Sequence, residues 1–157
     1  MSIEVIEDGD IFTSGAEILV CPTNALGVFG AGLAKAFWKS HRWGAACRRY
    51  ARDCKSGLIS EGSVVCYPGQ GEFTVAFAAT KGDWRKPSRR EIIVSCVRGL
   101  DGVIDMMLPE SIAVPALGCG LGGLEWQPVL HLLEGLASWP LASRTRVMIF
   151  APKEKRS

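Results

Sequence analysis

Two glycine-rich stretches, Asn24-Ala-Leu-Gly27-Val-Phe-Gly30-Ala31-Gly32 and Gly118-Cys119-Gly120-Leu121-Gly122-Gly123, each follow an apolar run and precede a helical stripe. Glycine lets backbone N–H groups come close to an anion, and the start of a helix adds a favourable dipole. Tight packing accounts for many single turns of this kind. Two of them in one small chain point instead to a diphosphate gripped from two sides, which suits a dinucleotide-like ligand with a sugar at each end. The first stretch lacks the lysine and hydroxyl of a P-loop, so hydrolysis of a nucleoside triphosphate is disfavoured.

The elements around these loops alternate. Residues 3–6 and 16–21 read as strands joined by a loop at Gly9, Asp10 and Gly15, the second strand ending at Pro22. A helix is predicted from near Ala31, and a second carries Trp43, Ala46, Cys47, Tyr50, Ala51 and Cys54 on one face with its arginines outward. Strands follow at Ser63–Tyr67 and Phe73–Ala79, the latter delivering Lys81 just beyond its end. Ser88 and Glu91 form a capping box for a long helix with a stripe through Ile93, Cys96, Val97, Leu100, Ile104 and Met107. A strand at Ile112–Pro115, a helix from Glu125 to Ser138 and a strand at Arg146–Phe150 complete the pattern, with Pro128 tolerable in the first helical turn.

Apolar strands alternating with helices predict a three-layer α/β/α sandwich around a mixed, mostly parallel sheet. Ligands of such sheets gather at the carboxyl ends of the strands, where both glycine loops and Lys81 fall. At 157 residues, 48% hydrophobic and 22% charged, the chain suits one core, here 1–152 followed by a polar tail at 153–157. A net charge of +2 and a pI near 8.3 are too mild to announce nucleic acid. The cations nevertheless cluster, at Arg42, Arg48, Arg49, Arg52 and Lys55 and again at Lys81, Arg85, Lys86, Arg89 and Arg90; solvated helix faces or one electropositive rim would each account for them.

Six cysteines lack the paired spacing of a zinc site and read as buried thiols, so no metal and no cofactor is expected. His41 and His131 have no partner cluster and receive no role. Met1-Ser-Ile-Glu has no basic-then-apolar leader and no run approaches the ~20 apolar residues of a membrane span, so a cytoplasmic monomer without membrane contact is expected.

Gly9-Asp10-Ile11, Asn24 ahead of Gly27-Val-Phe-Gly30-Ala31-Gly32-Leu-Ala, and Pro115-Ala-Leu117-Gly118-Cys119-Gly120-Leu121-Gly122-Gly123-Leu-Glu-Trp126 resemble, in order and spacing, the successive signatures of macro domains. The stretch Thr80-Lys81-Gly-Asp83-Trp84-Arg85-Lys-Pro-Ser88-Arg89 is similar to the lysine-bearing segment of the branch that holds the human terminal ADP-ribose glycohydrolase and the DNA-directed DarG antitoxins. The resemblance implies an ADP-ribose site. Asp10 would bind the adenine amino group, with the Ile11 backbone seating the ring. Asn24 would hold the distal ribose. The backbones of Gly30, Ala31 and Gly32, and of Leu117, Gly118, Cys119, Gly120, Leu121, Gly122 and Gly123, would cradle the phosphates.

It also implies that Lys81 attacks the anomeric carbon of the distal ribose, releasing the target before water frees ADP-ribose. A surface lysine ionises near pH ~10.4, so such a role calls for burial or a cationic neighbour such as Arg85 or Lys86. One departure stands out: the human enzyme has an aspartate in its second phosphate loop where this chain has Gly122, as the DNA-directed antitoxins do. Asp83 and Glu125 are candidates to act in its place, or else a loop residue and a helix-start carboxylate. Trp84 suits stacking on a base or packing.

The implied substrate is ADP-ribosylated nucleic acid, with thymidine adducts favoured, or ADP-ribosylated protein. A reader that binds ADP-ribose without chemistry fits the same loops. A phosphatase acting on ADP-ribose 1″-phosphate also fits them but gives Lys81 no clear role. The antitoxins of the resembled branch carry a second domain for their toxin, which this sequence does not include, so a free-standing or phage-encoded hydrolase is as well matched as a toxin-antitoxin partner.

Overall fold

The computed structural model describes residues 2–136 and 144–153. Strands β1 (Ser2–Ile6), β2 (Ile18–Asn24), β3 (Val64–Pro68), β4 (Thr74–Lys81), β5 (Ser111–Val114) and β6 (Arg146–Phe150) alternate with helices α1 (Gly32–Lys39), α2 (Gly44–Lys55), α3 (Arg90–Met107) and α4 (Trp126–Leu133). The sheet runs β1-β6-β5-β2-β4-β3, parallel throughout except for the antiparallel pair of β3 with β4. This is the expected mixed, mostly parallel sheet.

Side chains of a strand alternate between faces, and here the alternation divides the core in two. Ile18, Val20, Ala76, Ala78, Ile112, Val114, Val147 and Ile149 pack with the α3 stripe and with Val129 and Leu133 of α4. Leu19, Cys21, Val75, Phe77, Ala113 and Met148 face the other way, onto Phe37 of α1 and Ala46, Cys47, Tyr50 and Cys54 of α2. The layers are therefore α1–α2, sheet, α3–α4. No described helix is long and apolar enough to cross a membrane.

Five details differ from expectation. The second strand passes through Pro22 to Asn24. Its pairing with β5 ends at Leu19, so beyond that rung one side of the strand carries no ladder, which is where a residue without an N–H is tolerated in a sheet. Ser88 does not cap α3: Arg89 occupies the cap position without a side-chain bond, and Ser88 is bonded to Gly122 instead. Met107 ends α3 on its exposed side, and Cys66 and Cys119 are only half-buried, whereas Cys21, Cys47, Cys54 and Cys96 are buried free thiols. Helix α4 ends at Leu133 in a turn; Ser138, the expected end of that helix, lies outside the described residues, as does all but Lys153 of the expected tail.

Candidate ADP-ribose site

After β2 the chain crosses to the α1–α2 layer, and after β5 it crosses to the α4 layer. Neighbouring parallel strands whose connections leave on opposite faces make a crevice at their carboxyl ends, the usual ligand site of such sheets. β2 and β5 share only the pairs Ile18↔Ile112 and Leu19↔Ala113, so no ladder joins them toward their carboxyl ends. Both glycine loops open onto it. They also meet: a Cβ placed on Gly32 would lie 3.7 Å from Leu121 Cδ1.

Each loop is held from behind, and several of its amides are left without a partner among the described residues. In the first, Gly27 has φ +74°, and a Cβ there would stand 2.8 Å from Ala51 Cα, so glycine is what lets this loop lie directly on α2. Gly32 (φ +59°) begins α1, whose cap position, Ala31, has no side-chain bond. The N–H groups of Gly30, Ala31 and Gly32 find no acceptor among the described residues. In the second loop, Gly118 (φ +75°) accepts the Leu124 N–H at 2.9 Å and Gly123 donates to Gly120 at 3.2 Å, while the N–H groups of Gly120, Leu121 and Gly122 likewise find no acceptor among the described residues. Leu117 is fully buried beneath them. Burial pushes the Cys119 thiol up to about 11, so it remains neutral beside these donors.

Gly122 is confined for a steric reason. A Cβ there would sit 2.5 Å from both the Gly118 carbonyl oxygen and Ser88 Oγ. Ser88 in turn donates its N–H to the Gly122 carbonyl at 3.0 Å, and its buried hydroxyl has no partner among the described residues. Ser88 is thus the staple between the β4–α3 connection and the second loop. No aspartate fits at position 122 without moving that staple.

Asn24 and Lys81 lie side by side at the crevice floor. Across β2–β4 the register passes from Thr23↔Ala79 to Asn24↔Lys81, leaving Thr80 as an extra residue, and the Thr80 hydroxyl donates to the Thr23 carbonyl at 3.2 Å. Such a bulge re-aims the next side chains along the strand. The Asn24 side chain, 6% exposed, donates to the Val28 carbonyl at 2.8 Å and accepts from the Leu26 and Val28 N–H groups, both at 3.1 Å, which fixes the shape of the first loop. Its backbone carbonyl accepts from the buried Tyr50 hydroxyl at 2.8 Å. Burial above all pushes the Tyr50 phenol far up, so it stays a donor.

Lys81 is half-buried, with Nζ 3.5 Å from the Trp84 carbonyl. Arg85 does not stand over the lysine; it forks onto Asp83, with Nε–Oδ1 at 2.9 Å and Nη2–Oδ2 at 2.6 Å. That side-chain pairing, aided by the Arg85 N–H, holds the Asp83 carboxyl down at about 2, so Asp83 is an anion committed to Arg85. Trp84 is 52% exposed with the Arg85 guanidinium 5.7 Å from its ring centre, which leaves ring surface open to solvent. Glu125 is exposed and makes no side-chain cap at the start of α4. Asp10 caps the short 3-10 turn after β1 by accepting the Phe12 N–H at 2.9 Å, and Ile11 behind it is buried.

The two loops and the lysine, expected at one end of the sheet, lie together there. The supporting parts of Tyr50 and Ser88 come from the structure alone. Tyr50 was legible only as part of an apolar stripe, and Ser88 carried a competing helix-cap signal.

The macro domain family model matches residues 20–133. The chain is 32% identical over 142 residues to the DNA ADP-ribosyl glycohydrolase of Thermus aquaticus, covering 83% of this chain and 39% of that protein. With its counterpart from Mycobacterium tuberculosis it shares 36% over 124 residues, covering 77% and 35%. It therefore spans well under half the length of these relatives. Among solved structures, the macrodomain of Mycobacterium tuberculosis DarG superposes with a TM-score of 0.88 at 28% identity, over 96% of this chain and 98% of that one. Thermosipho africanus DarTG in complex with ADP-ribose gives 0.85 at 28% identity, over 99% and 43%. This chain belongs to the macro domain family, on the side of it that holds the DarG macrodomains.

Proposed function

We propose that this macro domain binds ADP-ribose and removes it from modified DNA, with Lys81 as the nucleophile. The observation that carries the reading is the pairing of Asn24 with Lys81 at the foot of a crevice whose two walls are unpaired glycine-loop amides. The relatives named DNA ADP-ribosyl glycohydrolases support the same choice of substrate.

In this reading the diphosphate accepts hydrogen bonds from the Gly30–Gly32 and Gly120–Gly122 amides, strengthened by the α1 dipole. Asp10 and the Ile11 backbone take the adenine, and the Asn24 loop takes the distal ribose. The amine of Lys81 attacks the anomeric carbon as the bond to the target breaks; the target departs with the bonding pair and gains a proton. Water then displaces the lysine and yields free ADP-ribose. Holding the anomeric carbon against the amine is the main rate contribution asked of the fold.

Replacing Lys81 by Ala tests this. ADP-ribose binding measured by calorimetry is expected to persist while release from ADP-ribosylated single-stranded DNA stops. Wild-type protein that binds ADP-ribose and never releases it from DNA would leave a reader without chemistry.

A further inference from the structure

The charge of this chain is strongly polarised. Between Gly32 and Lys55, α1 contributes Lys35 and Lys39, the connection contributes Arg42, and α2 contributes Arg48, Arg49, Arg52 and Lys55, against the single carboxylate of Asp53. These residues alone carry six net positive charges where the whole chain carries two, so the remainder is net negative by four. All seven cations are exposed, and none forms an ion pair among the described residues, whereas Arg85, Arg89 and Arg146 all do. Asp53 is itself occupied, accepting the Tyr67 hydroxyl.

Three of the arginines are held in place by aromatic rings instead of carboxylates. The Arg42 guanidinium lies 4.9 Å from the Phe73 ring centre, that of Arg48 lies 5.7 Å from Trp38, and that of Arg49 lies 5.5 Å from Tyr67. A guanidinium laid on a ring keeps its charge and its in-plane N–H edge for an outside acceptor while losing much of its rotational freedom. Ordered, unneutralised guanidinium groups in a row suit phosphates, which take them bidentately. The row also leads to the crevice. Tyr50, Ala51 and Cys54 of α2 abut the Asn24–Gly27 loop from below, so Arg52 and Lys55 stand at the turn of helix nearest that loop.

We propose that the exposed face of α1 and α2 is a docking track for the phosphate backbone of single-stranded nucleic acid, guiding the modified strand to the crevice. The identity of the strand as substrate rests on the function proposed above; the track itself does not. It holds the backbone and reads no sequence.

The test uses the full chain and an unmodified, fluorescently labelled oligothymidylate of about 20 nucleotides, longer than a typical single-domain footprint. Arg52→Gln with Lys55→Gln removes two charges that rest on no ring. The slope of log affinity against log salt is expected to become shallower by about 1.4, and the KM for strand-borne ADP-ribose to rise roughly tenfold, with ADP-ribose affinity unchanged. Arg90→Gln with Arg98→Gln, on α3 across the sheet, is the control and is expected to leave the slope unaltered. An unchanged slope in the α2 variant, an equal loss in the α3 control, or binding to phosphatidylserine vesicles as tight as to the oligonucleotide would each overturn the proposal. Wild-type protein that holds the oligonucleotide with this slope but takes no ADP-ribose would instead defeat the proposed function and leave the track standing.

Discussion

Asn24 and Lys81 are register partners across β2 and β4, tied by the Ala25 N–H donating to the Lys81 carbonyl at 3.0 Å. The bulge at Thr80 sets this pairing, so the residue that shapes the first glycine loop and the residue offered as nucleophile share one rung of the sheet. Their separation is fixed by backbone hydrogen bonds in the interior of the domain and does not depend on a mobile surface contact. Both glycine loops are braced around that rung, and each brace can be removed by a single substitution.

Tyr50 braces the first loop. Its hydroxyl is fully buried and donates to the Asn24 carbonyl, while its ring stacks on Phe77 at 4.6 Å. Tyr50→Phe keeps the ring and deletes the bond, with an expected loss of about 1 kcal/mol in urea unfolding. Because the loop it holds is one of the two proposed to take the diphosphate, calorimetry should also show weaker ADP-ribose binding. A stability loss with unaltered affinity would restrict Tyr50 to packing.

Gly122 braces the second loop by having no side chain. In Gly122→Ala the added methyl overlaps the Ser88 hydroxyl, which can rotate away, and the Gly118 carbonyl, which is backbone and cannot. A stability loss of roughly 1–3 kcal/mol is expected, together with weaker ADP-ribose binding. Gly122→Asp, which installs the carboxylate of the human glycohydrolase, is expected to behave worse than Ala and to raise no activity. Thermal melts and a release assay on the two variants decide this.

The Asp83–Arg85 fork sets a pH dependence. The folded value of Asp83, about 2, lies below its ordinary one, so its contribution is complete above roughly pH 4 and is lost as pH falls through about 2. Arg85 is exposed and Asp83 lies in a surface loop with part of its side chain open to water, so screening keeps the effect on stability small. The titration itself is diagnostic: carboxyl carbon NMR should give a midpoint near 2 for Asp83, rising toward the ordinary carboxylate range in Arg85→Ala. An unshifted midpoint in wild type would mean that the fork does not persist in solution, leaving Arg85 available to the neighbourhood of Lys81.

Much of this was legible in the sequence because it is local. The apolar strands, the α2 stripe and the glycine loops each declare themselves within a few residues, and Lys81, expected just beyond a strand ending at Ala79, is the last residue of β4. The parts that were not legible depend on contacts distant in sequence or on one of two equal local signals. Ser88 followed by Glu91 looks like a helix cap, yet Ser88 is drawn to Gly122, which no local pattern reveals. Asn24 looks like a ligand-facing amide, and its side chain closes its own loop through Val28 and Leu26. The bulge that aligns Lys81 with Asn24 leaves no trace in apolar periodicity.

The central claim is that both glycine loops serve one diphosphate, and amide NMR during titration with ADP-ribose addresses it most directly. The resonances of Gly30–Gly32 and Gly120–Gly122 should shift together along curves described by a single dissociation constant, and ADP should reproduce most of the movement. Shifts confined to one loop, or two loops titrating with different constants, would contradict it.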